Sequence, residues 1–297
     1  MELRQLEYFQ KVSRLKNITR AAEQLFVTQP AITVAIQKLE EELGVLLFDR
    51  SQKHFTLTAE GLIFLQRVDH VLSSLQNAIQ EMGDCGQLQK KIIKLGVPPM
   101  IGSFLFPPLF ADFQKKYPSL GLSTVEAGSV TIRELLERDE LDLGIIFVTD
   151  SWPLLDTLTI TKGAIHVCLP LGHPLSDLPM VPFNLLAEQS FVLFAEGTYH
   201  RQVIIKECSR NQITPHIILS SGQIETIRGL VAEGVGISFL PDFIISKYPD
   251  IVGRPLAETL PLSIGLAWKK TKYLSNASRS FISFMTNFSP LNTDPEK

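Results

Sequence analysis

Thr28-Gln29-Pro30-Ala31-Ile32-Thr33-Val34-Ala35-Ile36-Gln37-Lys38-Leu39-Glu40-Glu41-Glu42-Leu43 is the stretch on which the N-terminal fold turns. Ile32, Ile36, Leu39 and Leu43 recur at i, i+4, i+7 and i+11, which predicts a helix burying that stripe. Thr28 reads as its N-cap, and Pro30 sits in the first turn, where a missing N–H costs nothing. The opposite face shows Pro30, Thr33, Val34, Gln37 and Glu41, with Gln29 and Lys38 at its margins. Its N-terminal half is nearly uncharged and exposes a β-branched valine. Amide, hydroxyl and methyl groups are what DNA base edges accept. Taken alone, the face fits a base-reading surface and an ordinary weakly polar helix face equally well.

Upstream, Leu3, Leu6, Phe9, Val12 and Leu15 form an apolar stripe at three-residue spacing, a first amphipathic helix. Thr19 reads as the N-cap of a short second helix, and Ala21, Ala22 and Leu25 allow close packing. Val27-Thr28 makes the tight turn into the third. Downstream, Leu46–Arg50 and Phe55–Leu57 read as two short strands around Ser51-Gln52-Lys53-His54. Such a wing would set Arg50, Lys53 and His54 against phosphates or a minor groove; a plain surface hairpin with solvated cations has the same pattern.

Thr58 can cap a helix running to about Met82, in which Leu65, Val68, Leu72, Leu75, Ile79 and Met82 alternate three- and four-residue steps. This is an a/d seam, expected to pair with a second copy of the chain rather than to be buried within its own. After Gly83-Asp84-Cys85-Gly86, strand-like and helix-like runs alternate to the C-terminus, predicting parallel sheet with crossover helices. The expected domains are therefore 1–57, 58–87 and 88–297, the last in two lobes of about 88–160 with 266–297 and 161–265.

The bulk numbers exclude more than they assign. Among 297 residues, 45% are hydrophobic and 20% charged, an ordinary globular composition. No basic n-region opens the chain, and no apolar run approaches the ~20 residues of a bilayer span, so a cytoplasmic location without membrane contact is expected. Net charge is −3, so basicity gives nucleic-acid binding no support. Cys85, Cys168 and Cys208 are far apart and odd in number, which fits reduced thiols; a redox sensor would lack an adjacent resolving cysteine. An enzyme is not expected: the chain has no G-x-S-x-G, Walker loop or H-E-x-x-H. Its six histidines lack ligand spacing, so neither metal nor cofactor is expected. A plain solute-binding protein would have no use for residues 1–57.

The segment Ala21-Ala22, Leu25, Thr28-Gln29-Pro30-Ala31-Ile32-Thr33, Ile36, Leu39-Glu40, Leu43-Gly44, Leu47-Phe48-Asp49-Arg50, Leu57-Thr58 and Gly61 resembles the LysR-type transcriptional regulators. Chain length and domain order extend the resemblance over nearly the whole sequence. It implies an all-α winged helix-turn-helix with a long linker helix, then a two-lobed α/β effector domain similar to periplasmic solute-binding proteins. It further implies that Gln29, Pro30, Thr33 and their neighbours enter the major groove of promoter DNA. A homodimer or dimer of dimers, a small-molecule effector and RNA polymerase are the implied partners. Family members often carry Ser at position 33, Arg at 34 and Arg at 53, where this chain has Thr33, Val34 and Lys53; these departures bear on the operator sequence.

Ligands of open α/β sheets sit beyond the strands' carboxyl ends, near helix N-termini. Those loops here offer Ser103, Ser129, Thr198, Arg201 and Gln223. Arg201 is their only arginine, so an organic anion is the expected effector. The same residues also serve as helix caps or surface groups in many folds.

Overall fold

A computed structural model describes residues 1–49, 56–85, 92–148 and 152–288. The chain forms two compact units, Met1–Gln87 and Leu88–Lys297.

In the first unit, α1 (Leu3–Leu15), α2 (Ile18–Leu25) and α3 (Gln29–Leu43) precede a two-stranded antiparallel pair, β1 (Phe48–Asp49) and β2 (Thr56–Leu57). The long α4 (Ala59–Cys85) follows. Leu6, Phe9, Val12, Ala21, Ala22, Ile32, Ile36 and Leu39 are buried together, so the spacing seen in the sequence does form one core. Leu43 departs from that stripe and is exposed at the end of α3. Asn17, not Thr19, caps α2: its side chain accepts the Arg20 N–H at 3.0 Å. Thr28 holds the N-cap position of α3, but its side chain makes no capping bond. Thr58 does cap α4, accepting the Gly61 N–H at 2.9 Å. A Cβ on Gly61 would lie 2.1 Å from the Leu47 carbonyl oxygen, so only glycine lets α4 lie this close to the strand pair.

The second unit opens with β3 (Ile92–Val97), α5 (Pro99–Phe104), α6 (Phe106–Lys116), β4 (Gly121–Glu126), α7 (Ser129–Glu137) and β5 (Leu143–Phe147). α5 and α6 are separate helices rather than one. Pro107 and Pro108 lack the N–H groups to continue α5, and a fresh helix starts around them. Then come β6 (Leu155–Pro170), β7 (Ser190–Phe194), α8 (Tyr199–Arg210), β8 (His216–Ser221), α9 (Ile224–Ala232), β9 (Ser238–Pro241), α10 (Asp242–Ile245), β10 (Ile251–Lys269) and α11 (Asn276–Thr286).

Six strands form one sheet in the order β4-β3-β5-β10-β6-β9, while β7 and β8 pair in parallel beside it. The long antiparallel β6 and β10 run through both lobes and tie them together. α11 returns to the first lobe, where Phe281 meets Phe113 of α6 edge-on at 4.9 Å. Ion pairs of Lys269 with Asp139 and of Lys272 with Asp142 fasten the end of β10 to the turn before β5.

Candidate functional site

Gln29, Pro30, Val34 and Gln37 are exposed on α3 and Thr33 is half-exposed, so the row read from the sequence is one accessible face. Its polar groups are held in place. Thr19 of α2 donates to the Gln29 amide oxygen at 3.3 Å, and Thr33 donates to the Gln29 main-chain carbonyl at 3.1 Å. With its oxygen accepting from Thr19 and keeping a second lone pair, the Gln29 amide retains the acceptor and donor set that pairs with adenine. Thr19 therefore acts here as an orienting residue rather than as a cap. Arg50, Lys53 and His54 lie outside the described residues.

Sequence reasoning passed over Glu40. Its carboxylate is buried and accepts the N–H groups of Leu47 and Phe48, at 2.8 and 3.2 Å, hanging the first strand on α3. The signal was present: Ile32, Ile36 and Glu40 follow each other at i+4 on the buried side. Phe26 was missed as well. It ends α2 in the left-handed conformation, φ 55°, with its ring 94% exposed. The Val27 N–H closes back on the Ala22 carbonyl at 3.0 Å, a Schellman-like stop that favours glycine or asparagine. Replacing Phe26 with asparagine is expected to raise the unfolding free energy of the head by about 1 kcal/mol, since the ring contributes little packing and the backbone strain is relieved. Urea denaturation followed by circular dichroism measures it, and a lower midpoint would contradict it.

Half of the expected dimer seam is satisfied inside the chain. Val68 is buried, and Leu65 and Leu72 pack against the same cluster as Phe9 and Phe48. Gln10 and Arg14 of α1 reinforce this contact by reaching Asp69 at 2.5 and 3.2 Å. Val68 is thus covered within its own chain, whereas Leu65 and Leu72 are half-buried against the head, which covers the first half of α4. Leu75, Ile79 and Met82 remain 39%, 56% and 65% exposed, with Val71 at 50% beside them.

Between the two lobes lies a cavity of about 210 Å³. The first lobe supplies Pro98, Pro99 and Met100 after β3, Gly128 and Ser129 at the start of α7, and Phe147 at the end of β5. The second supplies Phe194 and Ala195 after β7, Thr198, Tyr199 and His200 at the start of α8, and Gly222 before α9. Of the effector residues expected from sequence, Ser129 and Thr198 meet here.

The other three do not. Ser103 lies inside α5, donating to the Met100 carbonyl at 3.0 Å, because that helix begins at Pro99 and not at Ser103. Gln223 holds the N-cap position of α9 without a side-chain bond to it and does not line the cavity. Arg201 turns away from it. Its guanidinium donates to the Phe194 carbonyl at 3.0 Å and to Ser220 Oγ at 2.8 Å, and pairs with Glu196 at 3.7 Å. It ties the ends of β7 and β8 to α8, and among the described residues no Lys or Arg lines the cavity.

Sequence reasoning missed the aromatic wall. Phe147 stacks on Tyr199 at 5.7 Å, and Phe194 meets His200 edge-on at 5.2 Å. His200 donates Nε2–H to the Phe239 carbonyl at 2.6 Å, and burial pushes its pKa down to about 4 even though that bond raises it. At neutral pH the imidazole is uncharged, with Nδ1 as a bare acceptor.

Among the described residues no helix is long and apolar enough to cross a membrane, and no cluster of His, Cys, Asp or Glu can hold a metal.

Comparison with known proteins agrees with both units. Residues 3–62 match the bacterial regulatory helix-turn-helix protein, lysR family, and residues 86–289 match the LysR substrate binding domain. The uncharacterized HTH-type transcriptional regulator YwbI of Bacillus subtilis is 32% identical over 285 residues, 95% of each chain. The Hca operon transcriptional activator HcaR of Escherichia coli is 29% identical over 290 residues, 96% of this chain and 97% of that one. Among solved structures, a full-length OxyR variant from Pseudomonas aeruginosa superposes with a TM-score of 0.69 at 28% identity, covering 98% of this chain and 96% of its own. A helix-turn-helix head with an exposed, uncharged row on its third helix, a two-lobed domain enclosing a cavity, and family matches spanning both lead to one statement: this chain belongs to the LysR family and is a transcriptional regulator, not an enzyme.

Proposed function

We propose that α3 reads a dyad-symmetric promoter site, that two copies pair through the exposed half of α4, and that a small molecule in the inter-lobe cavity tunes the response. The observation that carries the DNA reading is the row Gln29, Thr33, Val34 and Gln37, uncharged, accessible and pre-oriented by Thr19. An amide and a hydroxyl held by their own hydrogen bonds lose little freedom on meeting bases, and the Val34 methyl groups suit thymine. Two heads related by two-fold symmetry match a two-fold operator. Ligand acts by favouring one arrangement of the oligomer over another, so footprint or bending changes are the expected readout. RNA polymerase bound beside the site is the partner that such a change would reach.

Sequencing duplexes captured from a random pool by the purified protein gives the site. On it, Gln29→Ala and Thr33→Ala are each expected to lose ~1–3 kcal/mol, with little loss on unrelated DNA. Equal losses on both DNAs would remove α3 from base reading.

A thiol switch has no support in Cys168 or Cys208. Both are buried, and burial pushes their pKa values up to about 12 and about 11, so neither offers a thiolate at neutral pH.

A further inference from the structure

We propose that the inter-lobe cavity takes a compact, uncharged, mostly apolar molecule bearing one hydroxyl group, held between the Ser129 hydroxyl and the His200 imidazole. This rests on the cavity being the effector site, and it replaces the anion suggested by Arg201.

Size comes first. Drug-sized ligands occupy pockets of about 300–1,000 Å³, whereas an apolar cavity of about 150 Å³ holds benzene. At about 210 Å³ this one suits a single ring with a small substituent. Its walls then select against charge. Pro98, Met100, Phe147, Phe194 and Tyr199 dominate them, and among the described residues no Lys, Arg, Asp or Glu takes part. The starts of α7 and α8 carry partial positive charge, which favours an acceptor near them. That partial charge is small beside the cost of stripping water from a carboxylate in an apolar enclosure without a cation.

Two polar groups of the wall remain incompletely used, and they are complementary. Ser129 Oγ accepts the Phe147 N–H at 3.2 Å, so its own proton stays available to donate. His200 is 3% exposed, and its Nδ1 has no hydrogen-bond partner among the described residues. A buried acceptor left unpaired is destabilising, and a ligand that supplies the donor removes that penalty. Nδ1 is closed off as the wall stands, so a ligand hydroxyl that accepts from Ser129 meets both demands by a small opening of the wall that lets it donate to Nδ1. A carboxylate would instead face the Nδ1 lone pair with its own lone pairs.

Calorimetry on the full-length protein with phenol, anisole and benzoate as probes tests the assignment. Anisole keeps the ring and loses the donor; benzoate keeps the ring and gains charge. Phenol is expected to bind at least about tenfold tighter than either. In His200→Phe the advantage of phenol over anisole should shrink below about twofold, while anisole binding persists. Should that variant fail to fold, the wild-type ranking of the three probes decides alone. Phenol binding no tighter than anisole or benzoate, absence of binding included, overturns the ligand class. Ala195→Phe, which fills the cavity without touching either polar group, should abolish phenol binding. If phenol binds that variant unchanged, the cavity is not the site, and the effector reading falls with the proposal.

Discussion

Glu40→Ala is expected to destabilise the DNA-reading head by about 2–4 kcal/mol, because it leaves the Leu47 and Phe48 N–H groups buried without an acceptor. For a head of this size such a loss is comparable with total stability, so specific DNA binding should disappear. Glu40→Gln keeps one side-chain carbonyl as acceptor and should cost less than half as much. Both tryptophans, Trp152 and Trp268, lie in the second unit, so their fluorescence follows the effector domain alone. Helical circular dichroism follows the head as well. The expected outcome is an earlier dichroism transition in urea with an unmoved fluorescence midpoint. Coincident, unshifted transitions would show that Glu40 does not hold the strand to α3.

The head was legible because its elements are short and its signals local. Apolar residues at helical spacing, a proline at the start of α3 and strand-forming residues around the turn each fix structure within a few positions. What failed there also has a local cause. Asn17 and Thr19 are both good caps two residues apart, and sequence alone does not rank them. Glu40 opens the run Glu40-Glu41-Glu42, which reads as a solvated charge cluster until the strand that supplies its two donors is in place.

The effector domain was less legible because its decisive contacts join distant segments. β10 carries Pro255 and Pro261, residues that read as strand breakers; the ladder tolerates them by shifting register between Pro255 and Leu260. Prolines within it hide a 19-residue strand from a reading of sequence alone. Arg201 illustrates the same limit at one residue. A helix start beside a loop told where its backbone lies, but the direction of its guanidinium depends on the Phe194 carbonyl and on Ser220 of a different strand. His200, its neighbour in sequence, lines the cavity in its stead.

An apolar stripe states that a surface is covered without saying by what, and α4 shows both answers along one helix. Its 27 residues extend ~40 Å, more than the three-helix head can cover. Val68 is spent on the head, whereas Val71, Leu75, Ile79 and Met82 continue at four- and three-residue steps and stay between 39% and 65% exposed. Fully burying each is worth about 1.5–3 kcal/mol, enough in sum to hold a second helix. Ile79→Asp should therefore split the dimer, because a carboxylate would be buried against a partner without a cation. Sedimentation would show monomers, and affinity for a two-half-site duplex would fall ~10²–10⁴-fold as the linked second head is lost. Affinity for a single half-site should stay unchanged, since α3 and its supports are untouched. Leu72→Asp separates this from simple unfolding: it strikes the head's own core and should lower stability and half-site affinity together. An Ile79→Asp protein that still sediments as a dimer would place the pairing surface elsewhere than on α4.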